Sequence, residues 1–428
     1  MFTFVAKPLI NKMLKILKQI ILFVFIPVTS FSQEKEVNPP DYIKTINFKG
    51  NTSETQLPIL KLGEFLSLEF DALNGDEADY YYKIKHFNYD WTPSVLIQSE
   101  FMEGFDNQRI RAYENSYNTY QIYSHYKLKI PNQFTKKIKL SGNYMLSVFN
   151  NEDELVFSRK FMIYENSVDV GVVLKRSRNI EFIQKKQRVE ITVKSQGNLL
   201  SNPMQTVNVI IIQNNNLKTA ITGLKPQYTV GNQLIYKYDE PASFFGGNEY
   251  FYFENKDVRA ANTGIQYVDL QDVYHNYLYT NMQRADKPYT YNPDINGNYV
   301  VLNVDADNSD IEADYVWVHF SLQATNLLKS KNIYVYGNFN NYTTNSANKM
   351  HFNEEKQVFQ ARILLKQGFY NYKFVEVISN NVVDKGAISG DFYQTENNYK
   401  VLVYYRDFGG RYDKIIGVGT GSSVNISN

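Results

Sequence analysis

Apolar and polar residues alternate with a period of two along most of the chain, and this pattern limits what it can fold into. A β-strand turns successive side chains to opposite faces, so alternation gives a strand one buried and one solvated side. In YQIYSHYKLKI, Tyr120, Ile122, Tyr126, Leu128 and Ile130 fall on one face, while Lys127 and Lys129 fall on the other. In YVWVHFSL, Val316, Val318, Phe320 and Leu322 oppose Tyr315, Trp317 and His319. RVEITV, TVNVIII, YVVLNV, NIYVYG, VFQARILL and NYKVLVYY read as further strands, punctuated by turn sequences such as NGNY, KQGFY and SGNY. Past the N-terminal segment no run of ten or more residues has helical period. The expected fold is all-β: tandem, immunoglobulin-like β-sandwich modules.

Composition narrows the functional classes. The chain has 428 residues, with 45 basic and 44 acidic side chains, so no broad field recruits nucleic acid. It has 35 tyrosines but only 2 tryptophans, which suits strands whose rings pack on the sheet while the hydroxyl reaches water. Without cysteine there are no disulfides and no thiolate chemistry, so stability has to come from core burial. At the N-terminus Lys15 and Lys18 precede the apolar run Ile20 to Ile26, and Ser30-Phe31-Ser32 forms a small-x-small pattern. Residues 1–32 read as a secretory signal peptide, and Met13 gives it a more ordinary charged region than Met1. No later run is long and apolar enough to cross a membrane as a helix.

Three modules are expected after the signal peptide: residues 33–165, 166–290, and 291–428 with a flexible tail at GVGTG. The five histidines form no metal-binding spacing, and strand faces are the expected place for His125 and His319. In DADNSDIEAD, Asp305, Asp307 and Ser309 have the alternate spacing of a calcium loop. Asp310 stands where glycine is needed and Val316 where a glutamate is needed, so a solvated inter-strand loop is expected. No nucleophile motif is present, and the expectation is no catalytic residue, no metal and no cofactor. HFNYDWTPS, residues 86–94, sets His86, Asp90 and Trp91 close together and reads as a strand running into a turn. Trp91, Phe244 and Phe245 are the candidate partner-contact residues, the last two because they precede the flexible pair Gly246-Gly247.

YGNFNNY (336–342) with LLKQGFYNYKF (364–374) resembles early-set, glycogen-binding-like modules, with Tyr342 where their sugar-stacking tryptophan stands. A wider set of segments is more specific: YYYKIKHFNYDWTPS, YQIYSHYKLKIPN, LSGNYMLSVFN, GLKPQYTVGNQLIYKYDEP, FFGGNEYFYFENKDVR, EADYVWVHFSL and TENNYKVLVYYRDFGGRYDKIIG. Together they resemble the plug protein family of the type IX secretion system, from about Val37 to Gly417. That resemblance implies a periplasmic, non-enzymatic protein associated with the large outer-membrane translocon barrel, closing its periplasmic opening when no substrate passes. It supplies no catalytic residues. A periplasmic glycan-binding protein and a hydrolase with a dispersed site are the alternatives.

Overall fold

The computed structural model describes residues 33–51, 56–197, 200–378, 382–424 and 426; the expected signal peptide lies outside them. Among the described residues the α-helices are four-residue turns such as Gln98–Phe101 and Ser309–Glu312, and none is long and apolar enough to cross a membrane. The rest is strand and loop. The all-β expectation is met, in the form of three packed sandwiches.

A nine-stranded sheet is the backbone of the molecule. One half, built around Tyr81–Phe87, Gly142–Phe149 and Leu155–Tyr164, packs on a four-stranded sheet that contains Ile43–Lys49, Leu66–Ala72 and Ser124–Ile130. The other half contains Val207–Gln213, Asn398–Tyr405 and Lys414–Ser422. It packs on a five-stranded sheet built around Val168–Arg176 and Lys186–Ser195. The halves join in parallel at Tyr164 and Ile415, and Glu165 N–H donates to the Ile415 carbonyl at 2.7 Å.

Both faces of this joint are covered, which explains why its strands read as continuous apolar runs rather than alternating ones. Val207, Val209 and Ile211 face the middle core, whereas Ile210 and Ile212 face a second cluster with Phe87, Met145, Met162, Leu402, Tyr404 and Ile415. That second cluster draws on both sandwiches and holds them in one register.

The third sandwich pairs the sheet containing Phe251–Glu254, Tyr299–Val301, Ile333–Tyr336 and Gly368–Val377 with a five-stranded sheet. The latter runs through Ile265–Leu270, Tyr274–Leu278, Tyr315–Gln323 and Val358–Lys366. Its core takes Phe253, Ile265 and Leu278, which the expected boundary at residue 290 assigns to the middle module. The strands place the division elsewhere. The middle sandwich leaves off at Phe245 and resumes at Asn398, so the third is inserted within it.

The crossing out and the crossing back are tied together at Gly246-Gly247. A Cβ on Gly246 would sit 2.0 Å from the Phe392 carbonyl oxygen, and Gly247 has φ +66°, so glycine is required at both positions. Phe392 N–H and Thr395 Oγ1 both donate to the Gly247 carbonyl, at 2.8 and 2.7 Å.

GVGTG is also not a tail. Gly417, Gly419 and Gly421 lie on one face of the strand Lys414–Ser422, where Val168, Val170, Val172 and Leu174 press against the backbone. A Cβ on Gly419 would meet the Val170 carbonyl oxygen at 2.6 Å. The period-2 glycines therefore allow two sheets to approach closely.

Tyrosine usage also departs from expectation. Many rings are wholly buried, and several of their hydroxyls find protein partners instead of water, although that of Tyr236 has none. Tyr126 and Tyr144 donate to the carbonyls of Ala78 and Leu140 at 2.7 Å each, and Tyr404 donates to Asn143 Oδ1 at 2.7 Å. A hydroxyl satisfied in this way avoids the cost of an unpaired polar group in the core.

Candidate functional site

The buried polar chemistry of the chain is concentrated where the sandwiches meet. Between the first and third sandwiches Asp71 is the hub, with a fully buried side chain (0% exposed). Its Oδ2 accepts from Lys366 Nζ at 2.6 Å and from the Tyr315 hydroxyl at 2.7 Å, and its Oδ1 lies 2.6 Å from His125 Nδ1. Burial alone would raise the Asp71 carboxyl, but the Lys366 ammonium and the His125 imidazole overcome this and hold it below the usual carboxylate range.

Lys366 also donates to the Asp310 carbonyl at 2.6 Å, and its ammonium lies 4.1 Å from the centre of the Tyr123 ring. Asp314 accepts the backbone N–H groups of Tyr120 and Gln121, and Tyr299 donates to Asn47 Oδ1 at 2.9 Å. The acidic loop 305–314 is thus largely a docking element against the first sandwich, which corrects the expectation of a merely solvated loop. A recess of ≈ 140 Å³ opens on the same interface. Its lining includes one carboxylate, Asp41, with Lys44, Thr45 and Thr343, and no histidine, serine or cysteine.

The middle and third sandwiches share a second polar junction. Lys373 is buried with its ammonium 3.9 Å from the centre of the Tyr250 ring, and burial pulls it down to about 8. Around it, burial raises the carboxyls of Glu249, Asp294 and Asp391. Tyr289 donates to Glu249 at 2.5 Å, and Gly247 N–H donates to Asp391 at 3.1 Å.

The candidate contact residues fall out differently from one another. Trp91 is 7% exposed and belongs to the cluster that joins the halves of the nine-stranded sheet, so the expectation of an exposed contact is corrected. Its backbone is left-handed at φ +64°, a conformation that costs about 1–3 kcal/mol. Burying an indole, roughly 150–250 Å² at about 25 cal/mol per Å², returns about 4 kcal/mol or more and so decides the conformation. Lys160 Nζ covers the ring at 4.1 Å.

Asp90 supplies the turn, accepting from Thr92 N–H at 3.0 Å and Thr92 Oγ1 at 2.7 Å. His86 is buried between Ser94 and the Ser141 carbonyl, and burial pushes it down to about 4 despite that carbonyl and Asp413. His86, Asp90 and Trp91 are therefore structural.

Phe244 is also buried, edge-on to Tyr399 at 5.5 Å, which corrects its expected exposure. Phe245 keeps 48% of its surface, beside Phe182 and Lys186, and is the one of the three available to a partner. Tyr342 is buried against Tyr336, so it offers no ring face to a sugar. Sequence reading missed the junction residues Asp71, His125, Lys366 and Tyr315, because charged and phenolic side chains at strand ends normally signal solvent.

Fold and junctions together define a class: a multi-sandwich protein whose buried polar groups join one module to the next. Residues 43–165 match the family described as type 9 secretion system plug protein 1st domain. A hypothetical protein from Parabacteroides merdae, known from a crystal structure, superposes with a TM-score of 0.86 at 31% identity. That match covers 91% of this chain and 100% of that one. Collagen adhesin from S. aureus (TM-score 0.10, 9% identity, 91% of this chain and 98% of that one) is too distant to inform the fold. No curated protein matches the chain.

The chain belongs to the type IX secretion system plug protein family. Its role is thereby associated with type IX secretion, its family is not an enzyme family, and its setting is the periplasm near the outer membrane.

Proposed function

We propose that this chain closes the periplasmic opening of the type IX outer-membrane translocon when no substrate is passing, and does so without catalysis. The observation that carries the reading is mechanical. One sheet runs through two sandwiches, and the third is inserted into the middle one and held to the first through Asp71 and Lys366. A stopper has to resist deformation, and welded sandwiches transmit load where flexibly linked ones would yield.

Size supports the reading as well. About 400 mature residues scale to a radius of gyration of about 21 Å, suited to a barrel of the widest class, which reaches about 36 strands. Phe245, exposed beside the middle–third crossing, is the proposed contact residue. The test is to tag the mature protein and identify what co-purifies from outer-membrane extracts. Recovery of a large barrel protein is expected; repeated recovery without one would overturn the reading.

A further inference from the structure

We propose that Glu69, His125 and Asp310 form a zinc site bridging the first and third sandwiches. Glu69 and His125 stand on neighbouring strands of the first sandwich, and Asp310 comes from the acidic loop of the third. Their ligand atoms all lie within 4.8 Å of one another.

The histidine carries the argument. A carboxylate only accepts, so the 2.6 Å contact with Asp71 Oδ1 requires a proton on Nδ1, and in the neutral ring the lone pair then lies on Nε2, the atom a metal would take. Nε2 is buried without a hydrogen-bond partner, and it points toward Asp310 Oδ2 at 3.9 Å. A carboxylate behind one imidazole nitrogen, fixing the other as donor atom, is the usual support of a metal-binding histidine. One imidazole nitrogen and two carboxylate oxygens, with a water in the fourth position, suit zinc. Calcium and magnesium favour all-oxygen shells, and no thiolate is present for softer ions.

The ammonium of Lys127 marks where the cation goes. It lies 3.0 Å from Asp310 Oδ2 and 3.5 Å from Glu69 Oε1, but the Nε2 lone pair receives no hydrogen bond from it. Its side chain is 33% exposed, so it can swing into water as the ion enters. Zinc and Lys127 then compete for the same two carboxylates, and the ion adds a bond to His125 that the ammonium does not make. The spacing along the chain gave no hint of this, because the ligands come from three separate segments. The proposal stands whether or not the chain closes a barrel.

The test is calorimetric titration of the chelator-treated mature chain with zinc chloride near neutral pH, with cobalt absorption as a second readout. One ion per chain is expected, with the visible bands of nitrogen–oxygen coordinated cobalt. Glu69→Gln and Asp310→Asn, on opposite sandwiches, should each weaken binding at least about tenfold, and Lys127→Met should tighten it. Circular dichroism of each variant confirms that it is folded. Absence of saturable binding to the unaltered chain overturns the proposal, including binding seen only after Lys127→Met. Binding of unchanged affinity in both ligand variants overturns it too.

Discussion

Replacing Lys366 with methionine removes the ammonium from a carboxylate that cannot reach water. The side chains of Asp71 and Lys366 are 0% and 1% exposed, and their contact is 2.6 Å. Asp71 would keep its contacts with Tyr315 and His125, but it would lose the countercharge that lets it stay ionised. Breaking a buried pair from one side costs about 3–5 kcal/mol, several times what a surface pair would. Asp71→Asn alone should cost a similar amount, by stranding the ammonium. The double variant should cost less than the two together, with a coupling of at least about 1 kcal/mol.

The assay is urea unfolding of the mature chain, followed by far-ultraviolet circular dichroism and by fluorescence of the two tryptophans. Trp91 reports the first–middle joint and Trp317 reports the third sandwich. In the native sequence the two probes should give one transition. In Lys366→Met they should separate, because the third sandwich is no longer held to the first. A loss below about 1 kcal/mol with coincident transitions would refute the view that this pair welds the sandwiches together.

Three further outcomes follow from the same structure. His86 sits at about 4 in the folded chain against 6.5 when free, so between those values the unfolded chain binds a proton that the folded one refuses. Its contribution is intact above pH 6.5 and falls by up to about 3 kcal/mol as pH drops toward 4, and His86→Gln should flatten that part of the stability–pH curve. Gly419→Ala, whose Cβ would meet the Val170 carbonyl at 2.6 Å, should cost about 1–3 kcal/mol in the urea midpoint. Gly171→Ala, with its nearest neighbour at 3.7 Å, should be neutral or mildly stabilising. Phe245→Ser should leave the chain folded at a cost of about 1–2 kcal/mol, from the half-buried ring, and lower the recovery of outer-membrane partners in the co-purification.

Strand positions were readable because each strand carries its own signal. Val207–Gln213 and Asn398–Tyr405 announce themselves as apolar runs of strand length. Their pairing was not readable: Ile210 lies opposite Leu402 across an inserted sandwich, and nothing local encodes that choice. The glycines at 417, 419 and 421 misled for a related reason, since glycine is normally sparse in strands and is justified here only by Val168–Leu174 from another sheet.

The junction chemistry was hidden in the same way. Lys366 ends the strand Val358–Lys366 before a turn, where a lysine would ordinarily reach solvent, and only docking against Asp71 buries it. Asp90 and Pro93 do make the turn the sequence suggests, and packing of Trp91 against its own sandwich was legible, but not the second sandwich it also meets. The burial of Trp91 depends on strands more than a hundred residues away.

The most direct test of the proposed role is electrical. The translocon barrel, purified free of this chain and placed in a planar bilayer, should conduct steadily, and adding the mature protein on the periplasmic side should close it in a saturable way. Conductance that stays unchanged while the chain is demonstrably bound to the barrel would contradict the account.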